Sequence, residues 1–156
     1  MQIQLLAIGK RMPDWIETGY KEYANRLEST LPLKLIEIAT TRKSNSQDSK
    51  TVIRGEGEKL LAAIPQKAWV VALDEHGKQW SSKELAGQLE KWAGHSSQVA
   101  LLIGGADGLD QKCLERADQI WSLSPLTLPH ALVRVVVAEQ IYRAWSLNNN
   151  HPYHRS

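Results

Sequence analysis

The sequence has no phenylalanine and one cysteine among its 156 residues, and its formal net charge is only +2. Each shortage excludes something. With Cys113 alone, no intrachain disulfide can staple the fold, and the chain suits a reducing compartment. So small a charge does not support tight, indiscriminate nucleic-acid binding, which needs many phosphate contacts. Local clusters would have to do that work, and two stand out: "TTRKSNSQDSK" (residues 40–50) and the last residues of the chain. No apolar run approaches the roughly 20 residues that span a bilayer. The opening "MQIQLLAIGK" lacks the basic stretch of a secretion signal. A bacterial-type cytoplasmic protein without membrane attachment is expected. Without Phe, the six tryptophans must do much of the aromatic packing.

What is present is ordinary for a globular protein, with 42% hydrophobic and 23% charged residues. One domain over residues 1–156 is expected, long enough to bury about 70% of its unfolded surface. Strand-like runs alternate with helix-like ones. "IQLLAIG", "LKLIEIA", "AWVVALD", "QVALLIGG" and "QIWSLS" read as five strands. Between them, "PDWIETGYKEYANRLES" reads as a helix with Pro13 and Asp14 in its first turn. "IRGEGEKLLAAI" reads as a helix interrupted by two glycines. "SSKELAGQLEKWAG" is a helix capped by Ser81 or Ser82, and a short helix starts near Asp110. The last helix covers about His130 to Leu147. This alternation predicts an α/β fold, a parallel-rich sheet flanked by helices on both faces. The segment "TTRKSNSQDSK" reads as a mobile polar loop, either a solvated linker or an RNA contact.

Ligands of such sheets bind beyond the carboxyl ends of the strands. Three strands run straight into unusual loops there: "EHGKQWSS" after the third, "GGADGL" after the fourth and "PLTLPH" after the fifth. Glycine admits close approach of backbone to a ligand, and proline limits loop motion. Convergence of the three would hold a flat polar ligand such as adenine through main-chain groups. Trp80, in the first loop, is placed to border it. "GGADG" is not the G-x-G-x-x-G fingerprint, which counts against a dinucleotide-dependent oxidoreductase, and G-E-G-E-K lacks the ending of a phosphate loop.

The final helix, "HALVRVVVAEQIYRAWSL", is apolar around nearly its whole circumference, which predicts burial or sharing with a second subunit. Glu139 and Arg143 stand four apart, as a surface pair would. Arg134 reads as a structural partner for a carbonyl or carboxylate, and Cys113 as a small buried side chain. After the helix, "NHPYHR" packs two histidines, a tyrosine and an arginine around Pro152, which would hold the tail extended. Two histidines without a matching pair elsewhere do not make a zinc site, so no metal is expected.

"LLIGGADGL", "LSPLTLPHALVRVVVAEQIYRAW" and "NNNHPYHR", together with "LLAIGK" and "LDEHGKQWSSKELA", resemble the ribosomal RNA large-subunit methyltransferase H family. That family is the pseudouridine N3-methyltransferase branch of the SPOUT class, and the resemblance covers essentially the whole chain. It implies a C-terminal trefoil knot, which general rules of chain threading would argue against. It also implies a homodimer, formed here through the C-terminal helix, and S-adenosyl-L-methionine as methyl donor. The substrate it implies is a pseudouridine of large-subunit ribosomal RNA in assembled ribosomes. Carried onto this chain, donor binding falls on Leu73, on Gly104 with Gly105, and on Leu123, Ser124, Pro125, Leu126, Thr127 and Leu128. For the proton on the acceptor nitrogen, His154 and His130 are the candidate bases, with His151 and Tyr153 close by in sequence. Arg143 and Arg155 are candidates to stabilise the resulting anion or grip a phosphate. A non-catalytic ribosome-binding protein of the same fold is the competing reading, and the complete loops and tail argue against it.

Overall fold

The computed structural model describes residues 1–155. One five-stranded sheet, parallel throughout, has the order β2-β1-β4-β3-β5. In chain order the elements are β1 (Gln2–Ile8), α1 (Asp14–Leu27), β2 (Leu33–Ile38), α2 (Ser49–Ala63), β3 (Trp69–Gln79), α3 (Ser82–His95), β4 (Gln98–Ile103), α4 (Gln111–Arg116), β5 (Gln119–Ser122) and α5 (His130–Asn148). A 3₁₀ turn, Pro152–Arg155, ends the described chain. Alternation along the strands sorts the core into two layers. Leu5, Ala7, Val71 and Leu101 pack with α1, α3 and α5 on one face, while Leu6, Ile8, Val70 and Leu102 pack with α2 and α4 on the other. The α/β expectation holds, down to five strands in their expected places.

Several local readings need correction. β3 does not stop at Asp74 but continues to Gln79, interrupted by a bulge in which Leu73 and Lys78 both pair with Trp121. Gly77 makes this possible, because a Cβ there would lie 2.7 Å from the Ile120 carbonyl. The two glycines of "GEGEK" do not interrupt α2, which runs unbroken. They are contact points: a Cβ on Gly55 would meet Thr41 at 2.9 Å, and one on Gly57 would meet Asp110 at 2.7 Å. Helix propensity is given up for close approach of neighbouring segments. The residue 40–50 segment is likewise fastened, with Thr41 Oγ1 donating to the Val52 carbonyl at 2.9 Å and Arg42 paired with Asp107.

α3 begins with a full capping box between Ser81 and Glu84. α5 lies against both α1 and α3, and no residue from Ala131 to Leu147 is fully exposed. Its end is closed by the His151 N–H donating to the Ser146 carbonyl at 3.0 Å, with Asn150 in the left-handed conformation at φ 54°. That six-to-one bond is a Schellman closure, for which asparagine substitutes for glycine. The tail beyond it is a 3₁₀ turn rather than an extended strand. Tyr153 packs against Tyr142 with ring centroids 4.6 Å apart and planes tilted by 53°, and this packing folds the tail back on α5. Among the described residues no helix is long and apolar enough to cross a membrane.

Candidate functional site

A cavity of about 650 Å³ opens at the carboxyl ends of β3, β4 and β5. All three expected loops contribute to it. Leu73 comes from β3, just before the bulge. Gly104 and Gly105 come from the turn after β4. Leu123, Ser124, Leu126, Thr127 and Leu128 come from the segment after β5. Of the nine residues named for donor binding, Pro125 alone is not in the lining. Its neighbour Leu126 is 71% exposed.

The backbone of each loop is fixed locally. A Cβ on Gly104 would lie 2.6 Å from the carbonyl carbon of Gly108, so "GGADG" turns back on itself more tightly than any other residue permits. Gly105 and Gly108 close that turn with a 3.1 Å N–H to carbonyl bond, with Gly108 at φ 87°. The segment after β5 is stiffened by its own serines: Ser122 Oγ donates to the Ser124 carbonyl at 3.0 Å, and the Leu126 N–H donates to Ser124 Oγ at 2.9 Å. Thr127 Oγ1 donates to Glu75 Oε2 at 2.8 Å, tying this segment to the β3 bulge.

Ile103, Trp121 and Val133 supply apolar wall. Trp80 does not border the cavity; it stacks behind Trp121, their ring centroids 5.4 Å apart. The bulge explains the exchange, because it carries Trp80 past the strand end and leaves Trp121 facing inward. The lining also holds Asp74, Glu75 and Asp107 and contains no lysine or arginine. Sequence reasoning did not single out these carboxylates, and nothing in their spacing marks them as neighbours.

His130 is the first residue of α5, directly after the N-cap Pro129, and lies in the cavity wall. Its Nδ1 is buried with no partner. Burial, together with the nearby Arg134 guanidinium, holds its pKa below the ordinary 6.5, partly countered by Glu56. Both effects disfavour the protonated imidazole. Arg134, 1% exposed, fills the structural role expected of it. It donates to Glu37 Oε2 at 2.7 Å and to the carbonyls of Ile8 and Gly9 at 3.1 and 2.8 Å. It thereby ties α5 to the end of β1. Cys113 is fully buried, its thiol pushed up to about 11 mainly by desolvation.

The remaining catalytic candidates sit elsewhere. Arg143 pairs with Glu139 at 3.0 Å, and its guanidinium lies 4.9 Å from the centre of the Tyr153 ring. Burial, with Glu139 and Tyr23 close by, raises the Tyr153 hydroxyl to about 12. His154 has a buried Nδ1 without a partner, and Arg155 is exposed. This group gathers around Tyr142 and Arg143, about 18–20 Å along α5 from His130. Among the described residues no three potential ligands gather as a metal site.

The family model described as "Predicted SPOUT methyltransferase" matches residues 1–154. A protein from Marinomonas sp. (strain MWYL1), named ribosomal RNA large subunit methyltransferase H, is 52% identical over 155 residues, covering 99% of this chain and all of its own. Two solved structures are similar in fold at 15% identity. One is a probable methylase family protein from Haemophilus influenzae Rd KW20, with TM-score 0.55 over 97% of this chain and 69% of that one. The other is a putative methylase family protein from Neisseria gonorrhoeae, with TM-score 0.51 over 90% of this chain and 81% of that one. Sheet, pocket and sequence agree: the chain belongs to the SPOUT methyltransferase family and, within it, to the ribosomal RNA large-subunit methyltransferase H group.

Proposed function

We propose that this protein methylates N3 of a pseudouridine in large-subunit (23S) ribosomal RNA, using S-adenosylmethionine, on assembled ribosomes in the cytoplasm. The observation that carries the reading is a single cavity lined by all but one of the expected donor-binding residues. It occurs in a chain 52% identical, over nearly its whole length, to a ribosomal RNA methyltransferase. Residues 1–156 act as one methyltransferase domain.

The residues present fit the donor. A cavity of about 650 Å³ falls within the range of about 300–1,000 Å³ usual for small-molecule sites. The Gly104–Gly108 turn, where a side chain would clash, leaves main-chain groups to read an adenine edge. Asp74 and Glu75, with no lysine or arginine in the lining, suit a cationic sulfonium and repel phosphorylated nucleotides. When bound, S-adenosylmethionine supplies an electrophilic methyl group, so the protein's work is alignment and proton removal. We assign removal of the N3 proton to His130 or His154. Arg143 and Arg155 would balance the anion left behind, with Tyr153 supporting Arg143.

The tail packs about 18–20 Å along α5 from His130 in the pocket wall of its own chain. We infer that it serves the pocket of a second subunit, in a homodimer formed along α5. We also infer the trefoil knot of the family. β5 lies at one sheet edge, yet α5 begins beside the end of β1, where Arg134 meets Ile8 and Gly9. The connecting segment must cross the ends of β3 and β4, and threading beneath their loops there would make the knot.

Incubation with labelled donor and ribosomes from cells lacking the activity tests the function. One methyl group on a large-subunit pseudouridine is expected, with none on isolated small subunits; absence of label from the large subunit would contradict the assignment.

A further inference from the structure

An RNA that presents a base to this cavity meets Asp74 and Glu75 at its lining, beside an Asp107 already paired with Arg42, and no lysine or arginine in that lining. Its phosphates are repelled there, so the backbone has to be gripped elsewhere. The connection from β2 into α2 carries the opposite charge. Lys43, Lys50 and Arg54 are exposed on it, and none of their side chains has an ion-pair or hydrogen-bond partner among the described residues. Lys50 and Arg54 are one turn apart on α2. The acidic groups nearby are Asp48, which caps α2 by accepting from the Lys50 N–H at 3.2 Å, and Glu58, one turn beyond Arg54.

This segment is built rather than loose. Arg42 donates to the carbonyls of Ser44 and Gln47, both at 3.2 Å, and pairs with Asp107 Oδ2 at 2.8 Å. Ser49 Oγ donates to the other Asp107 oxygen at 3.2 Å. Asp107 belongs to the glycine turn that lines the cavity. The cations are therefore held in a fixed relation to the donor loop, and Arg42 neutralises the carboxylate on that side of the mouth.

We propose that residues 42–54 form a phosphate-docking surface for the RNA substrate, with Lys43, Lys50 and Arg54 on the backbone and the Arg42–Asp107 pair fixing that surface beside the pocket. The inference rests on the RNA methyltransferase reading above. RNA is favoured over an acidic protein because the reacting base must enter the adjoining mouth, and because a net charge of +2 makes a concentrated cationic patch necessary.

The test is the triple variant K43Q/K50Q/R54Q, assayed for methyl transfer to ribosomes across a range of salt concentrations. Titration with S-adenosylmethionine serves as its folding control. Donor affinity should be unchanged, and KM for ribosomes should rise about tenfold or more with kcat nearly constant. The slope of log kcat/KM against log salt should become shallower by about two, at about 0.7–0.9 per lost phosphate contact. Arg42→Ala should raise KM as well and also weaken donor binding. Unchanged KM overturns the proposal, and so does a raised KM with an unchanged salt slope, which would indicate a protein contact. A wild-type protein that binds donor but transfers nothing to RNA would sink the underlying reading, and this surface with it.

Discussion

At Gly104 one added methyl group would lie 2.6 Å from the backbone of Gly108, with no flexible side chain to yield. Gly104→Val should therefore displace the turn, cost about 1–3 kcal/mol of stability, and reduce donor affinity at least about tenfold, a factor worth about 1.4 kcal/mol. Thermal melting and calorimetry measure the two effects separately. His130 makes a second prediction at this scale. Its pKa is lowered in the fold, so the unfolded chain binds a proton there more readily, and the native state loses stability as pH falls through about 6.5. His130→Asn should flatten that acid-side slope of Tm between about pH 5 and 7 relative to wild type. An identical slope would mean that the imidazole is not held neutral.

Secondary-structure elements were largely legible in the sequence because periodicity and caps are local properties. β4 reads as a buried strand from "VALLI" and is buried from Val99 to Ile103. The readings that failed depended on contacts between segments distant in sequence. The glycines of α2 look like breakers until Thr41 and Asp110 are seen against them, and the end of β3 looks like a loop until β5 pairs with it. The pocket loops were legible for a different reason: glycine and proline at consecutive strand ends mark the carboxyl edge of a parallel sheet. The Arg42–Asp107 pair spans 65 positions and left no local signal. At this scale the α3 capping box gives the prediction. Ser81→Ala should cost about 1 kcal/mol, lowering Tm by about 2–4 °C, with donor binding unaffected.

For the whole molecule, the central feature is the separation of pocket and tail by about 18–20 Å along α5. His130 belongs to one end and Arg143, Tyr153, His154 and Arg155 to the other. If tails serve partner pockets, mixed dimers of a Gly104→Val subunit and a His154→Ala/Arg155→Ala subunit contain one complete site. Mixing two individually inactive variants should then restore about half of the wild-type activity per mixed dimer, or about a quarter in a random equimolar mixture, as expected when the site is built across a symmetric interface. No recovery, with subunit exchange demonstrated, would mean that each tail serves the pocket of its own subunit. The account as a whole stands on the cavity at the ends of β3, β4 and β5 holding the methyl donor. Calorimetric titration of S-adenosylmethionine into the purified protein tests this most directly: saturable binding, abolished by Gly104→Val, is predicted, and no heat of binding at near-millimolar donor would contradict it.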